Sequence, residues 1–382
     1  MGTPYDAIIL GAGIAGSGMA GALAARGWRT LLLDRGTFPK HKACGEFLSP
    51  ESKISLAWLG FDPSLGVLRP AVIDQVRLIA AGGARMAFPL PDSALGLSRF
   101  ALDEALRASA ADKGAEIRSG VTVHGISRVP EGYLVEATGG GGREMLCGRA
   151  AIGAWGRQRR VELTGGRQAA GDAWQIGRKT QLEGLEATTA VELYLFAGGY
   201  AGVAPVEDGR VNVAAVLNAR LARTLDLRGS EWLRSVAALH PALADRLSGG
   251  RPVPGTDQSA SPVRPTREPV AWGIVPHVGD AAIVVPPLCG DGMAMALRSV
   301  ERCAPLADDY LRGAVSLAGW REAYERALRR DFRAPARWGS LLQAALTRPL
   351  VSSALLRLGA RAPAAAVRLF QATRPSGAIS PG

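Results

Sequence analysis

Ala7-Ile8-Ile9-Leu10-Gly11-Ala12-Gly13-Ile14-Ala15-Gly16 carries the reading from which the fold follows. Its four leading apolar residues run without alternation, as in a parallel strand buried on both faces. The glycines at G-x-G-x-x-G spacing then open a helix over Ser17 to Arg26, which Gly27 stops. Thr30-Leu31-Leu32-Leu33 is a second buried strand, closed by Asp34 and Arg35. In such a unit Gly11 permits the tight turn. Gly13 lets backbone approach a pyrophosphate, Gly16 lets helix and strand pack closely, and Ile14 and Ala15 complete the loop. The phosphates rest on the helix N-terminus, where free N–H groups and the dipole favour anions. Asp34 stands 23 residues after Gly11, where an acid accepts from a ribose 2′-OH. A carboxylate there repels a 2′-phosphate, so the ligand is NAD or FAD rather than NADP.

The chain has 382 residues, enough for two to three domains and a large core. With 47% hydrophobic and 21% charged residues it falls outside the disordered, collagen-like and disulfide-scaffold classes. The formal net charge is +11, and among 45 basic residues only Lys40, Lys42, Lys53, Lys113 and Lys179 are lysines. The arginines are spread without runs, and no nucleic-acid-binding motif is visible, so nucleic acid is not an expected partner. Cys44, Cys147, Cys289 and Cys303 form no CxxC pair, and no metal site is expected. No apolar run is long enough to span a bilayer. These features predict a reduced, cytoplasmic protein.

A second cluster lies far down the chain. Val278-Gly279-Asp280 follows an apparent short strand, Pro286 and Pro287 mark a loop, and Gly290-Asp291-Gly292-Met293 opens a helix with apolar residues at helical spacing. Together with the amino-terminal unit it resembles the flavoprotein superfamily of p-hydroxybenzoate hydroxylase and geranylgeranyl reductase. The resemblance implies FAD, with Asp280 accepting from the ribityl chain. It also implies that the helix end at Gly290 to Met293, beside Pro287, faces the flavin pyrimidine edge, where its positive end favours anionic reduced flavin. Phe38-Pro39-Lys40-His41-Lys42-Ala43-Cys44-Gly45-Glu46 is similar to the basic-x-Cys-Gly segment of the geranylgeranyl-reductase-like branch. This implies a FAD-phosphate contact for Lys42 and places Ala43, Cys44 and Gly45 at the cofactor. Leu97 to Leu106 is similar to the family's R-x-x-x-D-x-x-L helix start, with Arg99 as a FAD contact. Ala115 to Ile117 and Val121 to Val123 resemble family strands, Val123 lying near the adenine.

Two departures bear on the reaction. Where the family carries G-A-D-G-x-x-S, this chain reads Gly153-Ala154-Trp155-Gly156-Arg157-Gln158-Arg159, with Trp155 for the acid and Arg159 for the serine. NAD(P)H is the expected electron donor, but this change puts its direct use in question and leaves ferredoxin open. Tyr200-Ala201-Gly202-Val203-Ala204-Pro205 stands where geranylgeranyl reductases carry Y-x-W-x-F-P. Loss of two large rings reshapes the cavity.

Between the FAD segments, Val191 to Phe196 and Arg210 to Leu217 alternate like strands, with Glu207-Asp208-Gly209 as a hairpin signal. Tyr194 and Tyr200 are candidate hydrogen-bond donors to substrate, and His277 reads as a core histidine. From Trp320 onward the chain reads as basic helices that pack as a lid or rest on a membrane surface. Arg374 to Gly382 reads as a frayed tail.

The expected fold is α/β: a doubly wound, Rossmann-like FAD-binding domain (1–70, 98–165, 270–320), an inserted mainly antiparallel-sheet substrate domain (71–97, 166–269) and a C-terminal helical region (321–382). With no nucleophile–His–acid set visible, catalysis rests on the flavin, with Cys44, Tyr200 and Cys289 as candidate catalytic residues. The favoured reaction is hydroxylation of an apolar aromatic or polyketide-like compound through a C4a-hydroperoxyflavin. The alternative is reduction of carbon–carbon double bonds in a polyprenyl or lipid-like substrate. A flavin-dependent halogenase or a non-catalytic flavin-binding module comes third. The sequence leaves the oligomeric state open.

Overall fold

The computed structural model describes residues 4–64, 66–157, 174–266 and 268–374. Gln158 and Arg159, singled out above, lie outside the described residues, as do residues 375–382.

The first sheet grows from β1 (Tyr5–Leu10), which lies parallel to β2 (Thr30–Asp34) on one side and to β9 (Gly142–Gly153) on the other. Beyond β2 comes parallel β6 (Glu116–Ser119). Beyond β9 the antiparallel strands β8 (Gly132–Gly139) and β7 (Thr122–Val129) complete the sheet. The continuous apolar strands divide by parity. Ala7, Ile9 and Leu32 join one core with helices α1 (Ile14–Ala24), α3 (Arg99–Asp112) and α7 (Gly292–Leu311). Ile8, Leu10, Leu31 and Leu33 pack instead with Val123, Ile126, Tyr133 and Val135 of the meander. The first helix begins at Ile14, three residues earlier than its composition predicted, because Gly13 already serves as its N-cap.

The second sheet has nine strands. Its central run is β10 (Gln175–Glu183), β13 (Val211–Asn218), β12 (Gly199–Pro205), β11 (Ala190–Phe196), β4 (Ala71–Ala80), β5 (Arg85–Gly96) and β3 (Phe47–Leu48). β14 (Arg251–Pro252) and β15 (Gln258–Val263) both pair with β10. The pairs are antiparallel except β11–β4, which is parallel. The two faces again follow strand parity. Tyr194, Phe196, Ala201, Val203, Val213 and Leu217 face Trp232, Val236 and Leu243 of the short helices α5 (Glu231–Ala237) and α6 (Pro241–Leu247), with α4 (Ala219–Ala222) beside them. Leu195, Tyr200, Ala204 and Val76 face the other way, toward Leu288, Leu346 and Leu356. Helix α2 (Pro50–Trp58) follows β3, and α8 (Leu317–Leu346), α9 (Pro349–Arg361) and α10 (Pro363–Ala372) form the carboxyl-terminal layer.

Three local expectations are corrected. The Glu207–Gly209 turn joins β12 to β13, because Gly199–Pro205 is itself a strand between the two segments read as a hairpin. No regular strand precedes Gly279. The segment makes only isolated bridges, His277 to Gly153 and Pro276 to Trp272, since Pro276 donates no N–H and instead accepts from Gly153 N at 2.8 Å. Arg374 is not part of a frayed end. It is 6% exposed and ion-paired to Asp291 and, at 3.0 Å, to Glu51.

Candidate active site

A cleft of about 570 Å³ opens at the carboxyl ends of β1 and β2, where ligands bind in open α/β sheets. Gly11, Gly13, Ile14 and Ala15 form its floor. Gly11 has φ +114°, and a Cβ there would lie 2.4 Å from the Ala154 carbonyl oxygen. A Cβ on Gly16 would lie 1.7 Å from the Gly11 oxygen. Gly16 therefore shapes the loop from behind and does not line the cleft, whereas the backbone at Gly13 stays open to a ligand.

Asp34 and Arg35 lie on the rim. Asp34 Oδ2 accepts from Ala12 N at 2.8 Å and keeps a lone pair for a ribose hydroxyl, while Oδ1 accepts from Gly36 N at 2.7 Å and Lys40 Nζ at 3.4 Å. Opposite, Lys42 Nζ and the Arg99 guanidinium converge on Asp103, at 2.5 Å and 2.7 Å. Asp103 is 2% exposed, and burial opposes its charge. Arg99 and Lys42 outweigh that and hold its carboxyl below the usual range. Burial and the adjacent Arg99 lower the Lys42 ammonium, while Asp103 keeps Arg99 firmly charged against its own burial. Two cations share one anion here, which leaves a net positive wall facing the phosphate loop.

The far wall is Val278-Gly279-Asp280, with Pro287, Gly290, Gly292 and Met293. Asp280 sits 3.6 Å from Arg157. Burial raises its carboxyl above the ordinary value, and Arg157 acts against this. The 20-residue helix α7 opens at Gly292 with no acid in its first turn, so its positive end is presented to the cleft. Val123 also lines the cleft, and Trp155 packs edge-on to His277 at 5.1 Å.

A second, apolar chamber of about 130 Å³ adjoins the cleft. Ala43, Cys44, Gly45, Phe47, Arg157, Val263, Pro287 and Gly290 line both. Its deeper wall comes from the second sheet: Val76, Val191, Leu193, Tyr200, Gly202, Ala204 and Val216, closed by Leu288 and Cys289. The parity of β12 accounts for this, since Tyr200, Gly202 and Ala204 share one face. Burial raises the Tyr200 phenol well above its ordinary range and pushes the Cys289 thiol up to about 12, so both stay protonated at neutral pH.

Every cofactor-binding residue read from the sequence lines the cleft except Gly16 and Asp291. Asp291 is corrected. It is 1% exposed and turned away, at the N-cap position of α7 without a side-chain cap bond, and it holds Arg374. Tyr194 is corrected as a substrate donor: it faces α6, where its hydroxyl donates to Glu192 at 3.2 Å and its ring stacks edge-on against His240. His277 is a core histidine, with Nδ1 3.1 Å from the Val270 carbonyl.

Sequence reasoning missed the clamp behind Cys44. Glu46, at φ +56°, is fully buried. It accepts from Lys179 Nζ at 2.7 Å, from Gln181 Nε2 at 2.9 Å and from Arg99 N at 3.1 Å. Asn212 Nδ2 donates to the Cys44 carbonyl at 3.1 Å. A signal existed: Lys179 is one of only five lysines in an arginine-dominated chain, set within a strand.

The cleft, its cationic wall and the helix end fit FAD: dinucleotide phosphates on the glycine loop and flavin against Gly290 to Met293. With this fold they define a class, and the chain is a FAD-dependent oxidoreductase. Within it, the chain is 28% identical over 311 residues to digeranylgeranylglycerophospholipid reductase 1 of Methanothermobacter thermautotrophicus, covering 78% of this chain and 75% of that one. It is 25% identical over 332 residues to the menaquinone reductase of Mycolicibacterium smegmatis, covering 80% and 77%. Among solved structures, a geranylgeranyl bacteriochlorophyll reductase-like protein of Thermoplasma acidophilum aligns with a TM-score of 0.77 at 17% identity, covering 98% of each chain. The myxobacterial chondrochloren halogenase aligns at 0.78 and 20%, covering 100% and 98%. No protein-family model matches the chain.

Proposed function

We propose that the chain reduces carbon–carbon double bonds of a polyprenyl or other lipid-like substrate. The observation that carries this is the wall of the chamber beside the flavin site. Among the described residues it is aliphatic apart from Phe47, Tyr200, Arg157, Arg178 and two cysteines, with no carboxylate and no imidazole. Hydroxylation of a phenolic ring gains from a base that draws off the phenol proton, and this wall offers none. An apolar chain needs none. The weight therefore moves from hydroxylation, the reading favoured on sequence, to reduction. The two relatives described above are named menaquinone reductase and digeranylgeranylglycerophospholipid reductase, which supports the same reading.

FAD, when bound, supplies the hydride. The chain's own residues do the rest. Lys42, Arg99 and the glycine loop fix the dinucleotide, and the start of α7 favours negative charge on its pyrimidine edge. The aliphatic wall aligns the chain of the substrate and excludes water. Reduction of an alkene needs a proton as well as a hydride. Cys44 lines both cleft and chamber, and we assign to its thiol the donation of that proton to the second carbon. Tyr200 and Cys289, both protonated, line the chamber beyond it.

The test is anaerobic. Purified holoenzyme, reduced with dithionite, is mixed with menaquinone or a geranylgeranyl ether lipid in detergent, and the product is weighed by mass spectrometry. Gain of two hydrogens per bond is expected, with Cys44→Ser slowing turnover and leaving flavin content unchanged. Oxygen-dependent gain of one oxygen atom, with no product in its absence, would return the assignment to hydroxylation. Repeating the reduction with NADH, NADPH and ferredoxin identifies the donor.

A further inference from the structure

After Asp331 the sequence contains no acidic residue: positions 332–382 hold seven arginines and neither Asp nor Glu. The structure shows what this stretch builds. In the first half of α8 the surface arginines are neutralised along the helix, Arg321 and Arg329 by Glu325 and Arg326 by Glu322. Arg333 and Arg337 reach Glu268. Beyond them the pattern changes. Arg348, Arg357 and Arg361 are exposed and carry no ion-pair partner among the described residues.

The same surface is apolar. On α9, Leu350 is 88% exposed and Leu358 63%, and at the end of α8 Leu341 is 63% exposed, beside Trp338. At 100° per residue, Leu350, Arg357, Leu358 and Arg361 fall on one side of α9, opposite Ser352 and Leu356. Leu356 is 1% exposed and packs into the cluster that holds Tyr200, Leu288 and Val76, which are chamber residues. The inner face of α9 thus packs against the side chains behind the chamber wall, while its outer face shows leucines interleaved with unpaired cations. Single exposed leucines are ordinary on protein surfaces, but a contiguous set among unneutralised arginines is not.

We propose that the outer face of α9, with the end of α8, docks on an anionic lipid bilayer. The leucines and Trp338 enter the interface between headgroups and acyl chains, and the arginines meet lipid phosphates. Charge selects this occupant, since the stretch holds no acid to answer the arginines of a second copy. No helix among the described residues is long and apolar enough to cross a membrane, so the contact lies in the plane of the surface. The docking stands on this surface alone. Its consequence for substrate rests on the reductase reading: a polyprenyl chain would pass from bilayer to chamber beneath α9.

The experiment uses the full-length holoenzyme and sucrose-loaded vesicles free of polyprenyl lipid, either pure phosphatidylcholine or phosphatidylcholine with phosphatidylglycerol. Cosedimentation with the anionic vesicles only, weakening as salt rises, is expected. Arg357→Gln with Arg361→Gln should weaken partitioning about thirty-fold, from the attraction of two cations to the surface. Leu350→Ser with Leu358→Ser should abolish it, with flavin content and far-UV circular dichroism unchanged because both positions are exposed. Trp338→Phe should remove the fluorescence quenching caused by brominated acyl chains. Vesicle binding that the leucine pair does not alter would overturn the proposal, as would equal binding to neutral vesicles. So would a dimer in sedimentation velocity that the same pair disperses while vesicles are ignored. Vesicle binding without reduction of polyprenyl substrate would leave the docking standing and sink the reductase reading.

Discussion

Replacing Lys179 by Met tests whether the flavin loop is held from the substrate sheet. Lys179 and Glu46 are both fully buried and 2.7 Å apart, and they join β10 to the segment that carries Cys44. Removing one member of a buried ion pair costs about 3–5 kcal/mol, because the other charge is left without its partner. Gln181 Nε2 and Arg99 N remain on Glu46, so the orphaned carboxylate keeps two donors. The loss should therefore lie near the lower end, about 3 kcal/mol, a sizeable share of a typical stability of about 5–15 kcal/mol. Glu46→Gln should cost less, since an amide still accepts from Lys179. The double variant should cost less than the sum of the two, with a coupling of about 1–3 kcal/mol. Urea denaturation followed by tryptophan fluorescence and by flavin release, on all four proteins, measures both quantities. Glu46 also accepts from the first amide of α3, so the affinity for FAD should fall in parallel. A Lys179→Met protein within about 0.5 kcal/mol of the parent, with unchanged FAD affinity, would refute the clamp.

Gly16→Val should abolish FAD binding, since even its Cβ would sit 1.7 Å from the Gly11 oxygen; the purified protein should be colourless and take up no added FAD. Gly202→Trp should fill the chamber, where a Cβ has ordinary contact with Leu193 at 3.4 Å. Flavin content should be retained while turnover of long-chain substrates falls at least ten-fold relative to short ones. Asp291 makes stability depend on pH. Burial raises its carboxyl to about 7, with Arg374 pulling the other way. A folded value above the unfolded one, about 3.9, means a contribution fully present below the unfolded value and lost as pH rises through about 7. Thermal unfolding between pH 5 and pH 8 should show this decline, and Asp291→Asn should flatten it.

The legible parts of the fold share a physical reason. The Gly11 to Gly16 loop and the Gly290 to Met293 helix start are local devices, in which residue type dictates backbone and backbone dictates ligand. Strand parity puts Tyr200, Gly202 and Ala204 on one face, but their segment shows in sequence as a motif and not as a strand. What escaped was set by distant packing. Asp291 sits at a helix start that does face the flavin site, yet Arg374, 83 residues away, draws its carboxylate inward. Tyr194 alternates as Tyr200 does, but on a neighbouring strand whose register turns it to the opposite face. Glu46 looked like the trailing residue of a motif, and nothing nearby in sequence announces Lys179 as its partner. Ion pairs across such separations leave no periodicity to read.

The two halves of the flavin cleft are far apart in the order of synthesis. Gly11 to Gly16 leave the ribosome early, but Val278 to Met293 follow more than 260 residues later, and Gly279 N is anchored by Ser299 Oγ, later still. A nascent chain can build the first parallel strands and present a phosphate loop long before it owns a wall for the isoalloxazine. Cofactor capture therefore waits for the segment that runs through Ser299. Truncated chains ending before residue 300 should emerge without flavin, so the yellow colour of a preparation reports that this late segment was made and brought to the glycine loop.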